Sequence, residues 1–141
     1  MKIKPENILW TKPKLPRGDL QLLKSCNASG VLRLTQAGQQ IDWKTYFRNT
    51  VLGGLAWKAE SNKEVAHANF KVILNDVDHG VHNLMISHKP SWESNQSNYT
   101  TALHWGGLEV IKDWKLFHKT LTISKPTDKS CDFVINIGEK A

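Results

Sequence analysis

A mainly β fold is predicted, a mixed or antiparallel pseudobarrel with one or two short helices, and three observations predict it. Short runs rich in Val, Ile, Leu and Thr recur along the chain, turn-forming Gly, Asn, Asp and Pro separate them, and no heptad series or strand–helix alternation links them. At 141 residues, 40% hydrophobic and 23% charged, the chain is long enough for a sizeable core and short for two. The expectation is one β-rich domain over residues 1–141 with an extended N-terminal arm.

The arm comes first. Pro5, Pro13, Pro16 and Gly18 fall within the first eighteen residues. KPKLPRGD has neither helical nor strand periodicity, and proline cannot donate a ladder hydrogen bond, so this stretch reads as an extended arm or ordered loop. Asn27, Ser29 and Gly30 are turn residues before a first strand over Val31–Thr35. In QIDWKTYFRNTVLGG a short helix is expected from Trp43, with Asp42 as N-cap and Gly53–Gly54 as the stop. Trp43, Phe47 and Val51 share its buried side, which points Lys44 and Arg48 elsewhere.

Residues 69–75 (NFKVILN) and 81–87 (VHNLMIS) read as two strands of an antiparallel hairpin joined through DVDHG. Further strands are expected over Tyr99–Trp105, Leu121–Lys125 and Phe133–Ile137. HKPSWESNQSN, residues 88–98, is the longest polar connection and carries Lys89 and Trp92. Residues 113–119, DWKLFHK, fit a short helix or a bulged edge strand.

Charge is distributed unevenly. Residues 1–60 hold ten Lys or Arg against four Asp or Glu, and residues 61–141 hold nine of each, so the whole formal excess of +6 lies in the first part. All three arginines, Arg17, Arg33 and Arg48, are there, with Lys12, Lys14, Lys24, Lys44 and Lys58. Such an excess points to a polyanionic partner or to a solvated face that keeps the chain soluble. On a duplex, lysines would neutralise phosphate and arginines would read guanine edges. Gln36, Asn95, Gln96 and Asn98 carry the paired amide donors and acceptors that suit adenine, and the same groups commonly serve turns. The candidate DNA-contacting set is therefore Lys12, Lys14, Arg17, Arg33, Gln36, Arg48, Lys58, Lys89, Trp92, Asn95, Gln96 and Asn98. Trp57 reads first as structural and Trp92 as a surface residue. Trp10, Trp43, Trp105 and Trp114 take core or interface readings.

Other chemistry is thinly represented. Cys26 and Cys131 form no metal or disulfide framework and read as isolated thiols in a reducing compartment. His79 and His82 lack a metal-site spacing and read as turn or sheet-surface residues. Asp76, Asp78, Glu109, Asp113 and Lys115 are the residue types of a metal-dependent nuclease without its spacing, and acids beside turns commonly cap backbone donors. Phosphate-loop, dinucleotide-loop and nucleophile-elbow motifs are missing, so neither catalytic residue, metal nor cofactor is expected. An uninterrupted apolar run of the roughly 20 residues that cross a bilayer does not occur, and MKIKPENILW lacks the apolar centre of a secretory signal, so a cytoplasmic protein away from membranes is expected.

The N-terminal basic arm, the segment Tyr46-Phe47-Arg48-Asn49 within TYFRNTVLGG, and the later strands together resemble the B3-like DNA-recognition domains of certain restriction endonucleases. The resemblance extends over most of residues 10–138. It implies a pseudobarrel that presents two projecting arms to the major groove, often beside a separate nuclease domain or subunit. Arg17 and Arg33 would then lie near the first arm, and Trp92 through Asn98 near the second. The function implied is that of a sequence-specific double-stranded DNA-recognition module, noncatalytic by itself. Competing with it are a carbohydrate- or protein-binding β domain using Trp92 and its neighbouring amides, and a small metal-dependent nuclease.

Overall fold

The computed structural model describes residues 5–20, 31–35, 39–42, 45–60, 63–89, 101–106 and 108–139, and for residues 5, 17 and 18 the backbone alone. The described strands are β1 (Ile8–Lys12), β2 (Val31–Leu34), β3 (Lys58–Glu60), β4 (Lys63–Leu74), β5 (Val77–His88), β6 (Thr101–His104), β7 (Thr120–Ser124) and β8 (Phe133–Gly138). They join in one sheet of order β1-β7-β8-β4-β5-β6-β2, with β3 beside the start of β4. Neighbours pair antiparallel except β4 and β8, which run parallel. The result is mainly β, a curled, open half-barrel of mixed strands, with one short helix at Tyr46–Val51.

Alternation along the two longest strands sets the interior. Ala66, Ala68, Phe70, Val72 and Leu74 of β4 are buried, and the antiparallel register puts Ile86 and Leu84 of β5 opposite Ala66 and Ala68. Phe133, Ile135 and Ile137 of β8 continue the same face beside Phe70, Val72 and Leu74, and the Phe70 and Phe133 rings stack at 5.4 Å. Trp10 and Phe47 meet edge to face at 5.1 Å and 89°, a geometry worth about 0.5–1.5 kcal/mol beyond burial alone.

The hairpin turn differs from its expected position. Strands β4 and β5 run on until only Asn75 and Asp76 separate them, and most of DVDHG lies inside β5. Asn75 and Asp76 have φ of 48° and 67°, the left-handed pair of a tight two-residue hairpin, which Asn and Asp tolerate well. The helix is also displaced. Its first helical residue is Tyr46, and Asp42 serves from outside as the carbonyl that accepts from Thr45 N and Tyr46 N. Leu52 N donates to Phe47 O at 2.8 Å, the wide i→i+5 spacing of a π-helical turn. The expected stop is present: a Cβ on Gly53 would sit 2.2 Å from the Asn49 carbonyl oxygen, so only glycine lets the chain turn there. Trp43 and Lys44 lie outside the described residues. Residues 114–116 form a single 3-10 turn with Asp113 Oδ1 accepting from Lys115 N.

Strands β1 and β2 end the sheet on its two sides, and side chains join them. Trp10 Nε1 donates to Thr35 O at 2.9 Å. The Gln39 amide both donates to Thr11 O and accepts from Thr11 N, taking the place of a neighbouring strand's backbone. Lys12 Nζ donates to Arg33 O at 3.0 Å and to Asp19 Oδ2. Asp19 Oδ1 in turn accepts from Arg33 N and Nε, at 3.4 and 3.1 Å. The Asp19 carbonyl takes the indole N–H of buried Trp105 at 2.7 Å. Asp19 is fully buried and Lys12 nearly so. Burial pulls the Lys12 ammonium below its ordinary value, against the upward pull of Asp19.

A buried cation stripped of its carboxylate is destabilising by about 3–5 kcal/mol, whereas replacing the whole pair by apolar groups is often neutral. Asp19→Ala should therefore lower the urea unfolding free energy by about that amount, and Lys12→Met combined with Asp19→Leu should recover most of the loss. Asp19→Ala unfolding at the wild-type urea midpoint would show that the pair does not hold the seam.

Candidate nucleic-acid interface

Cations gather where β4 begins and β5 ends. Glu64 is paired with His88 on β5 and with Ala59 on β3, so Lys63 and Lys89 flank this row from β4 and β5, and Lys58 from β3. The short helix packs its Phe47 side into the core and brings Arg48 over this row. Arg48 Nε and Nη2 each donate to one oxygen of Glu64 at 3.1 Å, and the guanidinium lies 4.4 Å from the centre of the Trp57 ring. Trp57 is itself pinned by donation from Nε1 to Leu52 O at 2.9 Å and packs edge-on to His88 at 6.4 Å. Hydrogen bonds from Arg48 hold the Glu64 carboxyl below its ordinary value. The planar guanidinium is thus fixed on one edge and backed on one face. Lys58 and Lys63 lie at the same end of the sheet but alternate to its other face, and the described strands stop here at Lys89 and resume at Thr101.

The candidate residues separate into different environments. Arg48 stands over the Glu64 row, whereas Lys58, which pairs with Val65, and Lys89, next to His88, alternate to the other face of the same sheet end. Lys12 does not face solvent: buried and bound to Asp19, it is a seam residue, which corrects its expected role as a phosphate contact. Arg33 also contributes to the seam through Nε, with its side chain about a third exposed (36%). Its backbone pairs with Ala102, whose row runs through Ser87 to Val65, so Arg33 stands three strands away from the Arg48 row. Lys14 is exposed on the loop after β1, with φ of 52°. Gln36, Trp92, Asn95, Gln96 and Asn98, and the Arg17 side chain, lie outside the described residues.

Lys63 and Glu64 are not in the candidate set drawn from the sequence, and Trp57 reads there as structural first, ahead of a surface role. Their signal lies in register, because Arg48 and Glu64 are sixteen residues apart and meet only through the helix and β4. Trp10 and Trp105 are buried as expected, while Trp114 is 56% exposed. His82 Nε2 lies 2.9 Å from the His79 carbonyl in a surface role. Among the described residues, no three His, Cys, Asp or Glu side chains converge on a metal-sized site. Asp78 and Asp113 accept from the backbone N–H groups of Gly80 and Lys115, the capping use expected for them. Cys131 is a free thiol, and Cys26 lies outside the described residues. Among those residues, no helix is long and apolar enough to cross a membrane.

One titratable pair lies on the opposite face of the same strands. The Ser87 hydroxyl and His104 Nε2 share a 2.8 Å hydrogen bond, and Ser87 is wholly buried. Burial, helped by the charge of Lys63, lowers the His104 pKa below the ordinary 6.5.

Comparison with protein-family models, with curated proteins and with solved structures finds no match for this chain.

The His104 shift has a stability consequence with a definite sign. Below pH 6.5 the unfolded chain takes up a proton that the folded imidazole still refuses, so stability falls as pH drops through that window. Urea midpoints measured at pH 7 and in mildly acidic buffer should show a smaller drop for His104→Gln than for the wild type. An equal drop would place the acid sensitivity elsewhere.

Proposed function

We propose that the chain is a double-stranded DNA-recognition module, noncatalytic by itself, which acts beside a separate nuclease domain or subunit. The observation that carries the reading is the Arg48 arrangement. Glu64 occupies the Nε–Nη2 edge and Trp57 backs the ring face, so the far edge of the fork is oriented before any ligand arrives. An arginine presented this way suits guanine O6 and N7 or a phosphate, and the ordering entropy has already been spent in folding. Lys58 and Lys63, on the other face of the same sheet end, supply sequence-independent attraction around it rather than a contact beside the fork. The resemblance to B3-like domains supports the same ligand class. Arg33, the second carboxylate-held arginine, adds a contact on the outer face of β2.

A salt-controlled survey of the intact chain against a pool of duplexes tests this. Affinity should fall steeply with salt, and a preferred duplex should exceed its scrambled version at the same salt. Arg48→Ala should reduce that preference by about 5- to 150-fold, the worth of one bidentate base contact. Arg48→Lys, which keeps the charge and loses the fork, should reduce the preference while retaining most of the salt dependence. Lys58→Ala should weaken all duplexes alike and lower the salt slope by about 0.9. Affinity indifferent to salt, or an unchanged preference in both Arg48 variants, would overturn the reading.

A further inference from the structure

Away from the Arg48 rim, the loop after β1 is tied to the segment before β7. Leu15 N donates to Lys119 O and His118 N donates to Leu15 O, both at 3.0 Å. Beside this clamp stands Trp114, 56% exposed although it is a large aromatic side chain. Its ring is buttressed edge-on by Phe117 at 5.4 Å and 76°, and His118 stacks on the other partner of that pair, Phe117, at 3.8 Å and 27°. Leu116, fully buried, anchors the turn between them. Lys14 and His118, one from each side of the clamp, hold left-handed backbones at φ of 52° and 64°, a strained conformation for side chains of this kind. Both side chains are exposed, as is that of Lys115.

We propose that the Trp114 ring with Lys14, Lys115 and His118 is a second binding surface, one that takes unpaired nucleotides of a single-stranded nucleic acid. The supported aromatic offers a flat face, which stacked base pairs in a duplex cannot use but an unstacked base can. The polar groups around it decide the ligand's charge. Of the nearby carboxylates, Glu109 is paired with Lys112 and Glu139 with Lys119, while Asp113 accepts from the Lys115 backbone N–H and keeps its charge. Lys14 and Lys115 outnumber Asp113, so the surroundings of the ring carry a positive balance that fits a phosphate better than the hydroxyls of a neutral sugar, and His118 adds a ring nitrogen. A flat face next to cations is the pairing that single-strand binders use, stacking the base and neutralising the backbone. This surface shares no residue with the duplex-reading rim and stands if that reading fails.

The test uses the intact chain and fluorescently labelled oligothymidylate, oligouridylate and an abasic strand of equal length, at one salt concentration. Trp114→Ala should weaken binding of the base-bearing strands by about 5- to 150-fold, the usual worth of one base–aromatic stack. Trp114→Phe should retain most of the affinity. Lys115→Gln should lower the salt slope by about 0.7. The abasic strand should bind the wild type as weakly as oligothymidylate binds Trp114→Ala. Because Trp114 is exposed, thermal unfolding of its variants should stay near the wild type, which separates lost binding from lost folding. Arg48→Ala should alter the base-bearing and abasic strands alike, whereas Trp114→Ala should alter only the base-bearing ones, and comparing the thymidine and uridine strands distinguishes a DNA source from an RNA source. Equal binding of abasic and base-bearing strands, or unchanged affinity in Trp114→Ala, would overturn the proposal.

Discussion

The buried Asp19 carboxylate is the constraint on which the rest of the architecture depends. A half-barrel whose end strands cannot pair through their backbones exposes two edges, and unpaired edges invite aggregation. Here the carboxylate lies between those edges and binds on each side, to the Lys12 ammonium of β1 and to the backbone and side chain of Arg33 on β2. Its own carbonyl anchors Trp105, one of the largest buried side chains. A neutral apolar residue at this position could fill the volume. It could not accept from three donors on two strands, so register across the seam would rest on Trp10, Gln39 and the single bond from Lys12 to Arg33 O. A buried ion pair is weak evidence for stability, and fixing register is the use best attested for such groups. The same donor geometry commits Lys12 to structure and fixes the Nε edge of Arg33.

That commitment alters what the charge arithmetic means. The first sixty residues carry the entire formal excess, yet Lys12 is internal, and Arg33 and Arg48 each hold a carboxylate. Net charge still sets the long-range field, because a paired charge cancels its partner and the excess remains elsewhere. What pairing changes is local: it removes a freely rotating cation and leaves an oriented one. Lysines on flexible stems suit delocalised attraction, whereas a guanidinium clamped at one edge suits a partner with fixed acceptors. The two arginines therefore lose reach and gain direction, which favours recognition over general affinity.

Much of the fold was legible from local pattern, and the losses have identifiable causes. Val31–Leu34, Leu121–Ser124 and Phe133–Ile137 announced themselves through clustered branched residues, and each is a strand within a residue or so of its expected bounds. The first half of β4 did not, because its inward positions are Ala66 and Ala68, too small to stand out as an apolar stripe. β1 was obscured by the prolines around it, although Trp10 and Lys12 both face inward. The hairpin turn was misplaced because DVDHG carries glycine and aspartate, while the operative pair was Asn75-Asp76. Proximity in space was illegible altogether: nothing local indicates that Lys12 is buried, that Arg48 meets Glu64, or that Trp114 projects into solvent.

The two surfaces proposed for nucleic acid differ in a way that reflects how each is held. At the Arg48 rim, the aromatic ring is covered by the cation it supports, so its π-face is already engaged and what remains outward is a hydrogen-bonding edge. At Trp114 the support comes from another aromatic, edge-on through Phe117, and the indole remains more than half exposed. The first arrangement discriminates among acceptor patterns and gains little from stacking, while the second gains from any exposed base and reads little of its edge. A chain carrying both would favour DNA in which paired and unpaired segments adjoin, because each surface engages the feature the other cannot use.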